Sequence, residues 1–163
     1  MSDKVKKGKK RNWWVYLVAF CIPVICLLIF MISTHCYPFG ENTVLVGDAN
    51  IQYRYFYMEL YDRIIHRKSL LFSWSGGMGY DFYSNMMYYL ASPFSIIVIL
   101  LGRYSIELGM VLILLIQMGG CAVTMAYYLR HTYLNSMDHG KVNDFLTIIF
   151  SLAYAMSNYV LAY

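Results

Sequence analysis

The sequence predicts an all-α polytopic membrane protein, with about three transmembrane helices and a long outer loop carrying amphipathic surface helices. Three observations predict it. Hydrophobic residues make up 60% of the chain and charged residues 13%, where a soluble domain carries about 25% charged. The apolar residues gather in blocks long enough to cross a bilayer. Six of the 13 Lys and Arg residues (Lys4, Lys6, Lys7, Lys9, Lys10 and Arg11) stand immediately before the first of those blocks. A nucleic-acid-binding arm is the competing reading of that basic run, and it is disfavoured because the run stops at Trp13, where the apolar stretch begins. Lipid bilayer is thus the expected partner, and no nucleic acid.

Residues 1–12 form the basic tail. No Asp, Glu, Lys or Arg occurs from Asn12 to Gly40, and about 20 apolar residues suffice to cross a hydrocarbon core, so residues 13–34 read as the first span. Trp13, Trp14 and Tyr16 supply an aromatic belt at one end. The stretch is too long for a cleaved leader and lacks a small-residue cleavage site, so it reads as a signal-anchor. Pro23 is tolerated there. A second span is expected over 105–129, with Glu107 as its only charge, and a third over 145–163. Because the apolar stretch runs to the last residue, the chain reads as the N-terminal part of a longer polytopic protein. The positive-inside rule puts the N-terminus on the cytoplasmic side. Residues 35–104 then lie outside and residues 130–144 inside. Residues 86–102, divided by Pro93, read as an interfacial or re-entrant helix; the alternative is a further span, which would reverse the exit of the last one.

The outer loop is where chemistry is expected, because long loops are usually functional or disordered and ten of the 17 tyrosines fall between Tyr37 and Tyr104. Asp48 suits the N-cap of a helix starting at Ala49. Ile51, Tyr55, Met58, Tyr61 or Asp62, and Ile65 then follow helical spacing, as for a helix lying on a membrane surface. Glu59 with Arg63, and Asp62 with His66, stand at the i,i+4 spacing of a favourable pair. Arg63, His66, Arg67 and Lys68 form a basic cluster that reads either as charges favouring the helix dipole or as a site for a lipid phosphate or anionic polymer. Gly76, Gly77 and Gly79 predict a tight turn. A phosphate cradle would need a strand-to-helix context that is missing here. Tyr88 and Tyr89 read as interface-belt residues or as a platform for stacking a sugar.

Five carboxylates belong to this region: Glu41, Asp48, Glu59, Asp62 and Asp81. Glu59 and Asp62 have cationic neighbours. Asp48 reads equally as a plain N-cap and as a base that takes a proton from an acceptor hydroxyl. The histidines His35, His66, His131 and His139 show no metal-ligand spacing, and His131 and His139 read as solvated. Cys21, Cys26 and Cys121 read as small apolar packing residues. Cys36 reads as an exposed, reactive thiol.

The order of the motifs carries a resemblance. "YPFG" at 37–40 is followed by "VGDANIQYRYFY" from Val46, "LLFSWSGGMGYDF" from Leu70, "YYLASPFSIIVILL" from Tyr88 and "SLAYAMSNYVLAY" from Ser151. This set resembles the N-terminal region of bacterial YfhO-type membrane proteins, which are similar to glycosyltransferases of the C superfamily. The resemblance implies a glycosyltransferase C-like N-terminal module. It implies transfer of a sugar from a polyprenyl-phosphate-linked donor to an envelope glycopolymer, such as a teichoic acid, on the outer face. Asp48 matches the essential acid near the start of the first outer loop, and Gln52 lies one turn on. Arg54, Arg63, Arg67 or Lys68 would stabilise the leaving lipid phosphate. Tyr88 and Tyr89 would contact substrate, and Asn158 and Tyr159 would approach the same cavity. No cofactor is expected; some superfamily members use a divalent metal, but no ligand cluster stands out here. A partner flippase or donor-synthesising enzyme would supply the donor. The rival readings are a lipid or sugar transporter or flippase component, and a non-catalytic membrane assembly subunit. A piece of the longer protein would be inactive alone.

Overall fold

A computed structural model of the chain describes residues 13–132 and 140–157. The basic tail, His139, Asn158 and Tyr159 lie outside the described residues. The fold is helical in the main, as expected of an all-α membrane protein. Among the described residues two helical stretches are long and apolar enough to cross a membrane, α1, Trp13–Ser33, and Arg103–Thr132, or three if the bent pair Phe82–Leu90 and Ser95–Leu101 forms one span. The stretch Arg103–Thr132 opens with a 3-10 turn, Arg103–Ser105, and continues as α5, Ile106–Thr132. The last described helix, α6, spans Gly140–Ala155, so the third expected span lies partly outside the described residues.

The chain divides into two compact units, Met1–Cys26 with Gln117–Tyr163, and Leu27–Ile116. In the first, small residues let helices approach closely. Ala19, Ala122, Ala126 and Ala155 form a buried cluster, and a Cβ on Gly119 would fall 2.5 Å from the Phe20 ring. Such small-residue contacts are how helices associate where lipid gives no hydrophobic drive. On α6 the buried face carries Asn143, Thr147, Ser151 and Ala155 at successive i,i+4 positions. Thr147 and Ser151 donate back to the carbonyls one turn earlier, at 2.7 and 2.6 Å. At the end of α5, Arg130 reaches Asp144 of α6 at 3.1 Å and lies 5.6 Å over the Tyr16 ring of α1. His131 is exposed and stacks on Tyr127.

The second unit holds the loop. Residues Ala49–Tyr53 form a π-helical turn that runs directly into α2, Arg54–Ile65. A two-residue hairpin follows, β1 (Phe72–Ser73) paired antiparallel with β2 (Tyr80–Asp81). The predicted glycine turn closes it: Gly79 N–H donates to the Gly76 carbonyl at 2.8 Å, with Gly77 and Gly79 at positive φ. Then come α3, Phe82–Asn85, a π-helical turn, Met86–Leu90, and α4, Ser95–Leu101. The helical pair flanking Pro93 is bent by 105°, because Pro disfavours helix in the residue before it and cannot donate into the ladder. Tyr57, Leu60, Phe82, Leu90, Val98, Ile106 and Ile113 make the core. A Cβ on Gly109 would lie 2.9 Å from Val98, so glycine there lets α4 cross α5 closely.

Along this helical run Ile51, Tyr55 and Ile65 are exposed, while Tyr57, Leu60 and Arg63 are buried on the opposite side, where Arg63 meets Glu59 and the Phe82 ring. Two local readings are corrected. Cys36 is buried rather than exposed, with its Sγ 3.2 Å from Thr34 Oγ1. Asp62 takes Arg103 as its ion-pair partner, at 3.4 Å, in place of His66.

Candidate functional site

Glu59 is the centre of a polar knot that fixes the hairpin to α2. Its Oε1 accepts from Arg63 Nε and Nη2 at 2.9 and 2.8 Å, from Ser75 Oγ at 3.1 Å, and from Ser73 Oγ. Its Oε2 accepts from the Tyr80 hydroxyl. Burial works against the charged form, but the hydrogen bonds from Ser73, Tyr80, Arg63 and Ser75 outweigh it and hold the carboxyl below the usual range. Tyr80 moves the other way: burial and the Glu59 carboxylate push its phenol up to about 12. Arg63 Nη1 also donates to the Ser69 and Phe72 carbonyls. Four of the five guanidinium N–H groups are therefore engaged within the fold. Arg63 stabilises the loop and has little left for a ligand.

The end of α2 explains where Arg67 and Lys68 go. Lys68 N–H bonds the Arg63 carbonyl at 2.8 Å and Arg67 N–H bonds the Ile64 carbonyl at 3.3 Å. This is the Schellman closure, with Arg67 in the left-handed position at φ 50°. Both side chains are exposed.

At the other end of the helical run, Asp48 is exposed and does not act as the N-cap. Its backbone is already helical and its side chain makes no cap hydrogen bond. The Gly47 carbonyl instead accepts the Asn50 and Ile51 N–H groups, at 3.2 Å each. Gln52 is exposed as well. Tyr53 packs edge-on against Tyr89 at 5.1 Å, and Tyr89 against Tyr88 at 4.6 Å and Phe56 at 5.4 Å. Tyr88 is 81% exposed. Burial, then the neighbouring Tyr89 and the Asp48 charge, raise the Tyr53 phenol above its ordinary value. Arg54 is part-exposed and sits 4.0 Å from Glu107.

The sequence-derived candidates thus separate into two groups. Asp48, Gln52, Arg54, Tyr88 and Tyr89 belong to the start of the run. Arg63, Arg67 and Lys68 belong to its far end. At 1.5 Å per residue Asp48 and Arg67 stand roughly 28 Å apart, too far to share one reacting centre, whereas Arg54 and Arg63 are about 14 Å apart.

The carboxylates separate equally clearly. Glu59 is saturated. Asp81 is the true cap of this region, accepting from the Tyr83 and Ser84 N–H groups at 3.1 and 3.4 Å and from the Ser84 hydroxyl. Those bonds, the Ser84 hydroxyl foremost, hold it low. Asp62 pairs with Arg103. Glu41 and Asp48 are both exposed, and Asp48 is the one beside the tyrosines. Sequence reasoning missed two donors of the knot, Ser73 and Tyr80, and the cap role of Asp81; an Asp before "FYSN" was the local signal for the latter. Among the described residues, no group of three or more His, Cys, Asp or Glu gathers where it would hold a metal ion.

A recess of about 1030 Å³ opens between α2, the hairpin and Arg103, bordered by Tyr55, Met58, Asp62, Lys68 and Trp74. A smaller one, about 290 Å³, is lined by Arg54, Tyr37, Tyr104 and Glu107.

Residues 19–163 match the family model described as bacterial membrane protein YfhO. No curated protein and no solved structure matches the chain.

Proposed function

The chain belongs to the YfhO family of bacterial membrane proteins, and from that premise we propose that it serves a membrane glycosyltransferase of the outer face. The substrate pair is a polyprenyl-phosphate-linked sugar and a hydroxyl of an envelope glycopolymer such as a teichoic acid. The acceptor oxygen attacks the anomeric carbon. The bond from that carbon to the lipid phosphate breaks, the phosphate leaves on its lipid, and the acceptor proton passes to the Asp48 carboxylate. A positioned carboxylate of this kind contributes about 10²–10⁴-fold. The outer face has no nucleotide supply, so a lipid-linked donor suits the chemistry.

The observation that supports this reading best is that Asp48 is unspent. A base needs a free lone pair, and Asp48 has no cap bond to make, whereas Glu59 and Asp81 are already committed. Gln52, one turn on and exposed, would hydrogen-bond a sugar hydroxyl, and the exposed Tyr88 would offer a ring face for stacking. Arg54 is the cation nearest in the chain to this end and would meet charge developing on the leaving phosphate. Its contact with Glu107 is long and part-exposed, so little is lost in redirecting it.

The test is deletion of the encoding gene and quantification of sugar substituents on purified envelope polymer. Loss on deletion with restoration by the wild-type gene is the expected result. Unchanged sugar content would reject the reading and leave transport or assembly as the role.

A further inference from the structure

The large recess runs along α2 from Tyr55 to Lys68 and shares Met58 and Arg103 with the smaller one; the transfer reaction does not absorb it, and its chemistry is distinctive. Three cations, Arg63, Lys68 and Arg103, face two carboxylates, Glu59 and Asp62. Arg63 is consumed by the Glu59 knot. Arg103 shares Asp62 at 3.4 Å, with its side chain 52% exposed, a geometry that contributes little and yields readily. Lys68 is exposed and makes no ion pair among the described residues. The recess therefore presents two available cations. Its walls are apolar and aromatic, with Tyr55, Met58 and Trp74, and Trp74 is 78% exposed.

The position of Arg103 says at what depth the recess opens. Arg103 is the first residue of the stretch Arg103–Thr132, which is long and apolar enough to cross a membrane. A cation at the end of such a stretch sits at headgroup level. The fully exposed Tyr104 beside it is the residue type enriched at that level.

We propose that this recess binds an anionic phospholipid of the surrounding bilayer, with the headgroup phosphate between Lys68 and Arg103 and the upper acyl chain against Trp74, Tyr55 and Met58. The bound lipid would be a structural ligand of the loop, separate from the lipid-linked donor at the Asp48 end.

The 163-residue chain is reconstituted in nanodiscs of mixed phosphatidylcholine and phosphatidylglycerol and extracted in mild detergent, and the retained lipid is identified by native mass spectrometry. The basic N-terminal run stays intact in every variant, so its contribution cancels. Phosphatidylglycerol is retained in preference. Lys68→Gln and Arg103→Gln each lower that preference about fivefold. Asp62→Asn, which releases Arg103, raises it, and serves if either cation variant folds poorly. In a Trp13→Phe, Trp14→Phe background, brominated phosphatidylglycerol quenches Trp74 emission more than brominated phosphatidylcholine does. Equal retention of the two lipids, or a preference unchanged in both cation variants, overturns the proposal. Displacement of the lipid by glycerol 1-phosphate at matched concentration would assign the recess to a soluble phosphate ester instead. Lipid retention does not depend on sugar transfer, so this proposal and the transfer reading fail separately.

Discussion

Glu59 and Tyr80, 21 residues apart, are joined by a hydrogen bond in which the phenol donates to Oε2. It ties the hairpin to α2 at the point where Arg63, Ser73 and Ser75 also converge. Because the buried Arg63 would be left without this part-buried carboxylate, removing Glu59 should free the hairpin.

Glu59→Ala is expected to destabilise the second unit by about 3 kcal/mol, since Arg63 is left buried without its counter-charge. Tyr80→Phe removes one donor and should cost about 1 kcal/mol. Thermal unfolding of the chain in nanodiscs, followed by Trp74 emission in the Trp13→Phe, Trp14→Phe background, reads both. Equal effects of the two variants would contradict the central place given to Glu59.

The same knot predicts a pH window. Glu59 is held below its ordinary value of 4.5, so its contribution is present above that value and is lost as pH falls through the depressed one. Tyr80 is raised from 10.0 to about 12, so its contribution is present below 10.0 and is lost as pH climbs towards 12. Stability of the hairpin, read by Trp74 emission, should hold a plateau between these limits and fall on both sides. Glu59→Gln should shrink the acid limb to the part that Asp81, also held low, supplies, and should weaken the alkaline limb, because the Glu59 carboxylate helps to raise Tyr80.

Arg67 occupies a left-handed position, φ 50°, that favours glycine. Arg67→Gly is expected to stabilise by about 0.5–1 kcal/mol, the release of Cβ strain exceeding the added freedom of the unfolded chain. Sugar transfer should be unchanged, since the helical run sets Arg67 far from Asp48. A transfer defect in Arg67→Gly would bring Arg67 back among the substrate contacts.

Gly79 carries the opposite constraint. Its φ is +90° and a Cβ would lie 2.4 Å from the Phe72 ring. Gly79→Ala should therefore cost about 2 kcal/mol or more. Gly120→Ala should be close to neutral, because open space surrounds the position its methyl would take. Parallel melting curves of the two variants test the contrast.

Local features could be read from the sequence. Apolar blocks announced α1 and α5, the Gly76–Gly79 run announced a turn, and the spacing of Glu59 and Arg63 announced their pair. Relationships across the chain could not. Spacing cannot say that Ser73 and Tyr80 fold back onto Glu59, so Arg63 read as an available cation when it is a buried strut. Asp48 looked like a cap because Asp before a helix usually is one; the Gly47 carbonyl took that work, at a backbone angle only the fold reveals. Arg103 carried no motif at all, yet it pairs with Asp62 and borders both recesses described above.

Whether Asp48 takes the acceptor proton is decided by complementing a deletion strain with Asp48→Asn and quantifying sugar on the purified envelope polymer at matched membrane levels of protein. The amide keeps the shape of the side chain and removes its capacity to take a proton. A fall in sugar content to the deletion level, with Glu41→Gln restoring it normally, is the predicted result. Full restoration by Asp48→Asn would contradict that role, and would take the proton acceptor away from the start of the helical run.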